Sequence, residues 1–269
     1  MAKIGQARVL DDNQFQSLLA EIRKHRHSEK NTLIMQISFK LGLRAQEIAL
    51  LRVTEVAQIG SLYTNGFEIK DVLVLPKSFT KGARPGERSV NTKTNVKEVK
   101  RRSVRFSLSE FDRIVAKIVT LATSGVAVNP KRFYPAVNKT GGKTRELPLA
   151  DRALRLALSD YLRVRFVQNS NIKLSDPLIM SQKRKPYSSN TLQEHMATML
   201  RKWAGIDRAS SHSGRRTLAT KLLHDQREHL KTVQLILGHK DASTTVIYDD
   251  IPEKKLKSVL HRVGASYND

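Results

Sequence analysis

Cysteine is missing from this chain altogether, and with it go a disulfide framework, thiolate metal sites and a cysteine nucleophile. Long apolar runs are missing too. Nothing approaches the roughly 18 consecutive apolar residues of a membrane-spanning helix, and the opening "MAKIGQARVL" lacks the apolar core of a signal peptide. Acidic residues are scarce: 25 Asp and Glu stand against 48 Lys and Arg in 269 residues, a formal net charge of +23. A surplus of that size exceeds what solubility requires and points to a polyanionic partner, nucleic acid first. Without an apolar span or signal, the expected setting is soluble and intracellular.

What is present is mostly helical in pattern. Phe15, Leu18, Leu19 and Ile22 recur at helical spacing, as do Leu33, Ile34, Ile37 and Leu41 before Gly42 interrupts. A third helix is expected from near Arg44, carrying Ile48, Leu51 and Val56. Residues 67–80, "FEIKDVLVLPKSFT", are rich in β-branched and aromatic residues and read as a strand, and a second strand, "TRELPLA", follows only at 144–150. Later helices are expected at 107–124, at 154–167 and in "SSNTLQEHMATMLRKWAGI", with helices dominating to the end. The fold class is therefore mainly α with a small antiparallel sheet (α+β).

Between the two strands lies a basic stretch. From Lys77 to Phe106, Lys77, 81, 93, 97 and 100 with Arg84, 88, 101, 102 and 105 oppose only Glu87 and Glu98. Such a run is either a solvated loop or a loop that lies on phosphates. On the second reading Arg84, Arg88, Lys93, Lys97, Lys100, Arg101 and Arg102 are DNA-binding residues.

Three separated segments carry the chemistry: "GLRAQEIALLRV" (42–53), "HSGRRTLAT" (212–220) and "LGHKDASTTVIY" (237–248). Their order and spacing resemble the tyrosine recombinase (phage integrase) family. That family's pattern is an Arg in a G-x-R-x-x-E helix start, a Lys in a β-hairpin, an H-x-x-R box, then L-G-H and a Tyr nine residues on. Arg44 and Glu47 fit the first box, His212 and Arg215 the second, and His239 and Tyr248 the last. Each piece alone is weak, since L-G-H also describes a helix ending on a glycine cap; their ordered co-occurrence is specific.

The resemblance implies a catalytic-domain fold with a large insertion in its β-hairpin, and DNA strand cleavage and re-ligation through a covalent 3′-phosphotyrosine. Planar guanidiniums bind the non-bridging oxygens of a pentavalent phosphorus bidentately, a role for Arg44 and Arg215, with His239 adding a hydrogen bond. Tyr248 is the implied nucleophile, His212 the general base, and a Lys protonates the leaving 5′-oxygen. Glu47 is expected to orient Arg44, and no metal or other cofactor is required.

Three departures stand out. Gly214 and Arg216 replace the Leu and His usual in H-x-L-R-H-T; Arg216 is expected either to pair with an acid or to reach the DNA backbone. Residues 82–143 separate Lys81 from the second strand, where the family has a tight turn, so Lys81 is the favoured catalytic lysine with Lys139 and Lys143 as alternatives. Arg44 comes too early for the helical core-binding domain that usually precedes this one, so 1–269 is expected to be a single catalytic domain, with 82–138 as a basic insertion that replaces part of the missing grip. Residues 253–269 form a tail that either docks on a neighbouring protomer or folds onto its own core.

The implied partners are double-stranded DNA at a specific recombination site, three further copies in a homotetramer on DNA, and accessory DNA-bending proteins; a membrane is not among them. The implied location is the cytoplasm, on the nucleoid. Integration, excision and inversion are all compatible with the motifs. Two rivals remain: type IB topoisomerase-like relaxation, disfavoured by the small size and the "LGH…TTVIY" spacing, and a non-catalytic DNA-binding protein, which has no need of a nucleophile. If the insertion grips phosphates, replacing residues 84–136 with a short Gly-Ser turn weakens duplex binding and flattens its salt dependence. Affinities that match the intact chain across a salt series would place the grip elsewhere.

Overall fold

The computed structural model describes residues 6–60, 67–76, 79, 89–90, 97–98, 108–125, 144–182, 184–239 and 243–248. The chain divides into two compact units. One comprises Met1–Lys81 with Gly142–Asp269, and the other Gly82–Gly141.

The larger unit is built around α2 (Ser28–Leu41). Its Leu33, Ile34, Met35, Ile37, Phe39 and Leu41 are all buried, because α1 (Asp12–Arg23), α6 (Arg152–Gln168) and α8 (Ser213–Thr220) pack around it. Asp11 starts α1 with a reciprocal cap: its carboxylate accepts from Gln14 N–H at 2.8 Å, and the Gln14 side chain accepts from Asp11 N–H at 3.2 Å. The Phe15, Leu18, Leu19 and Ile22 face is buried, with Phe15 stacked on Phe39 at 4.6 Å. Gly42 stops α2 in the left-handed conformation, φ 63°. A Cβ there would meet Leu237 at 2.9 Å and Leu218 at 3.0 Å, so glycine also permits the close approach of α8 and of α9 (Leu230–Leu237).

The next helix is shorter than its apolar spacing predicts. α3 (Ala45–Leu50) ends, and α4 (Val53–Val56) is a separate turn. The reason is tertiary: Leu178 N–H donates to Leu51 C=O at 2.7 Å, while Val53 and Thr54 N–H donate to Asp176 and Leu174 C=O at 3.0 and 2.9 Å. Those backbone groups are taken by another segment and cannot continue a helical ladder.

The expected 67–80 strand is likewise divided. β2 (Phe67–Ile69) pairs antiparallel with β1 (Ala57–Ile59), and β3 (Val72–Leu75) pairs antiparallel with β6 (Arg145–Pro148). Arg155 holds the bend between β2 and β3, donating to the carbonyls of Ile69, Lys70 and Leu149 at 3.1–3.3 Å and pairing with Asp71 at 3.1 Å. In the β3–β6 register Leu73 faces Leu147 and Leu75 faces Arg145. All four are buried, while Val72 and Val74 are exposed, the alternation of a sheet covered on one side.

Beyond α6, α7 (Ser189–Thr198) and α8 each pass into a π turn, Met199–Trp203 and Lys221–Asp225 respectively. The last described helix of this unit is α10 (Ser243–Val246). In the smaller unit β4 (Ser89–Val90) pairs antiparallel with β5 (Lys97–Glu98), and α5 runs over Leu108–Thr123. Among the described residues no helix is long and apolar enough to cross a membrane.

A polar joint ties α2 to α7. Asn31 donates its amide to Arg26 C=O at 3.1 Å, which leaves its oxygen to accept from His195 Nε2–H at 2.8 Å. Burial, reinforced by Lys30 and His27, pushes the His195 pKa down to about 4, so the ring is neutral in the fold. The unfolded chain takes up this proton below about pH 6.5, whereas the folded chain resists until about pH 4. Stability is therefore complete above that window and lost as pH falls through it, at up to about 1.4 kcal/mol per pH unit. Between pH 6.5 and 5.5 the wild type is expected to lose roughly 1 kcal/mol more than His195→Gln, read by urea unfolding at the two pH values.

Candidate functional site

The site is assembled where three helix ends meet. Arg44 is the cap residue of α3, extended at φ −72° and ψ 152°. Glu47, one turn in, has no exposed surface. One of its oxygens accepts from Arg44 Nη1 at 3.0 Å and the other from Arg44 N–H at 2.9 Å. The G-x-R-x-x-E spacing thus works as a helix cap run by a carboxylate, which holds both the backbone and the side chain of Arg44.

Arg215 lies on the first turns of α8 and is 1% exposed. Its Nη1 donates to Gly42 C=O at 2.6 Å and its Nη2 to Leu237 C=O at 2.5 Å. Both acceptors belong to helix C-termini, of α2 and α9, where the carbonyl ends favour a cation. Burial first, then Arg44, pushes the Arg215 pKa down to about 10, so it stays charged at neutral pH. One guanidinium thereby fixes the segment that leads to Arg44 and the segment that leads to His239.

His239 follows Gly238, which ends α9 in the left-handed conformation at φ 65°. The ring is buried, shares a 2.8 Å hydrogen bond between Nδ1 and Thr245 Oγ1, and stacks on Tyr248 with centroids 5.7 Å apart and planes 11° from parallel. Burial and then Arg215, Arg44 and Arg145 push its pKa down to about 3, so the imidazole is neutral at physiological pH. Tyr248 is half-buried against the cluster of Ala219, Leu223, Val233 and Leu237, and its N–H donates to Thr245 C=O at 2.9 Å.

One site residue escaped the sequence analysis. Arg145, on β6, is 7% exposed. Its Nη2 pairs with Glu47 Oε2 at 3.0 Å, and its Nη1 donates to Ile236 C=O at 2.8 Å. The signal was legible in strand parity: in "RELPL" the residues that share the inward face with Leu147 and Leu149 include Arg145. An inward-facing charge on a strand demands a partner, and Glu47 is that partner.

His212 caps α8 with its side chain exposed, three residues before Arg215. Arg216, expected on an acid or on DNA, donates to Ala7 C=O at 3.0 Å. Gly214 has a packing reason: a Cβ there would come within 2.8 Å of Phe39 and of the Ser38 carbonyl carbon, so the Leu usual at this position has no space beside α2. Lys81, Lys139, Lys143, Arg84, Arg88, Lys93, Lys100, Arg101, Arg102 and the 253–269 tail lie outside the described residues. Of Lys97 only the backbone is described, in β5.

Arg44, Arg145 and Arg215 thus surround one carboxylate, Glu47. Two positive charges remain in excess beside a neutral His239 and a tyrosine. Among the described residues no group of His, Asp and Glu could hold a metal ion. The arrangement can bind an anion between guanidiniums, with a phenol adjacent.

The architecture is that of tyrosine recombinase catalytic domains. The XerA recombinase structure matches with a TM-score of 0.57 at 18% identity, covering 96% of this chain and 65% of that one. The Tn1549 transposon integrase matches at 0.54 and 13% identity, covering 98% and 69%. Residues 91–254, which include His212, Arg215, His239 and Tyr248, match the phage integrase family, and the chain belongs to that family. Among curated relatives, the tyrosine recombinase XerC of Caldanaerobacter subterraneus subsp. tengcongensis is 31% identical over 124 residues, 45% of this chain and 34% of that protein. The match thus spans about a third of that relative's length.

Gly238 offers a controlled test of the packing. A Cβ there would lie 2.5 Å from Arg145 Cδ and 2.7 Å from its Nε, whereas at Gly205, φ 63°, it would meet nothing. Alanine at either position pays about 1–2 kcal/mol for the left-handed backbone. Gly238→Ala is expected to cost roughly 1–3 kcal/mol more than Gly205→Ala in denaturant unfolding.

Proposed function

We propose that this protein is a site-specific DNA recombinase that cuts and rejoins strands through a 3′-phosphotyrosine on Tyr248. The observation that carries the reading is the excess of guanidinium charge beside a tyrosine: Arg44, Arg145 and Arg215 stand against the single carboxylate of Glu47, a surplus that favours an anion. Membership of the phage integrase family supports it, as does the fold shared with a transposon integrase solved on transposon right-end DNA.

In the proposed reaction Arg44 and Arg215 bind the non-bridging oxygens of the scissile phosphate, and His239, neutral and held through Nδ1 by Thr245, turns Nε2 to the same phosphate. The Tyr248 oxygen attacks phosphorus and its proton passes to His212. The bond to the 5′-oxygen breaks, and that oxygen takes a proton from a lysine, with Lys81 favoured and Lys139 and Lys143 as alternatives. The phosphotyrosine conserves the bond, so a different 5′-hydroxyl can reverse the step and complete an exchange. No metal or cofactor enters this scheme.

The proposed assembly is a homotetramer on two duplexes, its tail 253–269 exchanged between protomers, acting in the cytoplasm with the insertion 82–138 contributing to the grip on DNA and with accessory DNA-bending proteins as further partners. Integration, excision and inversion share this chemistry. Topoisomerase-like relaxation is the alternative outcome of the same covalent step.

The test is covalent capture. The protein is incubated with a library of nicked duplexes of random sequence, in which cleavage releases a short strand and traps the adduct, and captured duplexes are recovered after denaturation. Wild type is expected to enrich a defined sequence, and Tyr248→Phe to lose at least about a thousandfold in adduct. An adduct surviving in Tyr248→Phe moves the nucleophile elsewhere, and duplex binding with no adduct from wild type identifies a non-catalytic DNA-binding protein.

A further inference from the structure

Arg145 sits beside the proposed phosphate site yet has no place in the scheme above. We propose that Arg145 is a positioning residue of this reaction: by sharing the Glu47 carboxylate, it leaves Arg44 its full charge for the scissile phosphate and fixes the strand β6 edge against the end of α9. The proposal rests on the function proposed above.

Glu47 is fully buried and must remain paired. With Arg44 as its sole partner, the pair would be close to neutral and Arg44 a poor anion ligand. The carboxylate is instead divided: Oε1 accepts from Arg44 Nη1 and Oε2 from Arg44 N–H, while Arg145 Nη2 lies 3.0 Å from Oε2 as an ion pair. A second guanidinium on the same acid restores net positive charge to the pair.

Geometry makes Arg145 more than a counter-ion. Its other terminal nitrogen donates to Ile236 C=O, next to Leu237, whose carbonyl binds Arg215. Arg145 and Arg215 therefore grip adjacent carbonyls at the end of α9, three and two residues before His239. The stem and Nε of Arg145 fill the space where a Cβ of residue 238 would lie, so the glycine of the L-G-H box is there for the strand as well as for the helix cap. Arg145 reaches Glu47 on α3 and Ile236 on α9 at once, and so sets the distance between the Arg44 and His239 ends of the site.

The test compares two substrates with the same recovered sequence. One carries the natural phosphodiester at the scissile position, and the other a methylphosphonate, in which a methyl group replaces one non-bridging oxygen and removes the negative charge. Adduct formation is timed with protein in excess for wild type, Arg145→Met and Arg145→Lys. On the phosphodiester Arg145→Met is expected to slow by about tenfold or more, less than removal of a donor that touches the phosphate. On the methylphosphonate its deficit is expected to shrink to within about threefold, because a neutral phosphorus centre needs less positive charge. Arg145→Lys, which keeps the charge but reaches one acceptor, is expected to fall between wild type and Arg145→Met on the phosphodiester.

Equal deficits on both substrates, or Arg145→Lys as slow as Arg145→Met, would reduce Arg145 to a packing role and overturn the proposal. An undiminished rate in Arg145→Met does the same. A wild-type adduct accompanied by any of these results leaves the recombinase reading intact, whereas absence of a wild-type adduct on the phosphodiester overturns both.

Discussion

The buried carboxylate of Glu47 is the constraint on which the site depends. A negative charge with no exposed surface persists only if it is paired, and here it accepts two hydrogen bonds from Arg44 and forms an ion pair with Arg145. Those two arginines come from a helix start and from a strand far along the chain. Glu47 therefore does for the polar groups what α2 does for the apolar ones: it gives separate elements a common point of attachment. Because two cations share one anion, the attachment leaves positive charge over, and a structural ion pair becomes part of the proposed anion site.

Arg215 extends the same logic to helix ends. The last carbonyls of a helix lack partners within it, and in this fold α2 and α9 end close together. One guanidinium satisfies both, which ties the turn before Arg44 to the turn before His239. The glycines at these ends, Gly42 and Gly238, are needed twice over, once for positive φ and once because neighbouring side chains occupy the Cβ positions. Substituents there would push apart the elements that the arginine draws together.

The opposite side of α8 is held by the N-terminal segment. Leu10 N–H donates to Thr217 Oγ1 at 3.0 Å, Arg216 donates to Ala7 C=O, and Lys221 pairs with Asp12. The box "HSGRRTLATKLL" thus alternates its allegiance: Arg215 faces the site, Arg216 and Thr217 bind the strap behind it, and Gly214 allows the helix to lie directly on α2. Successive residues on a helix point about 100° apart, and that rotation is what lets adjacent arginines bind the helix ends on one side and the strap on the other.

Much of this was legible from residues alone. Helical spacing located α1, α2 and α6, and the boxes around Arg44, Arg215, His239 and Tyr248 named the groups that the fold gathers. Local pattern failed where tertiary bonds overrode it: the 174–178 segment takes the backbone groups at 51–54 and stops α3, and Arg155 collects carbonyls at the bend that divides β2 from β3. Arg145 could have been suspected from strand parity, but its partner could not, because Glu47 lies 98 residues away in a register set by β3–β6 pairing. The sequence by itself determined which elements are helical, the excess of positive charge and the motif residues that the fold gathers, since these follow from composition and short-range spacing. Only the tertiary structure decided which arginine binds a carbonyl, which shares a carboxylate and which is left with charge to offer, because those outcomes depend on helix ends and strand faces that meet only when the chain is folded.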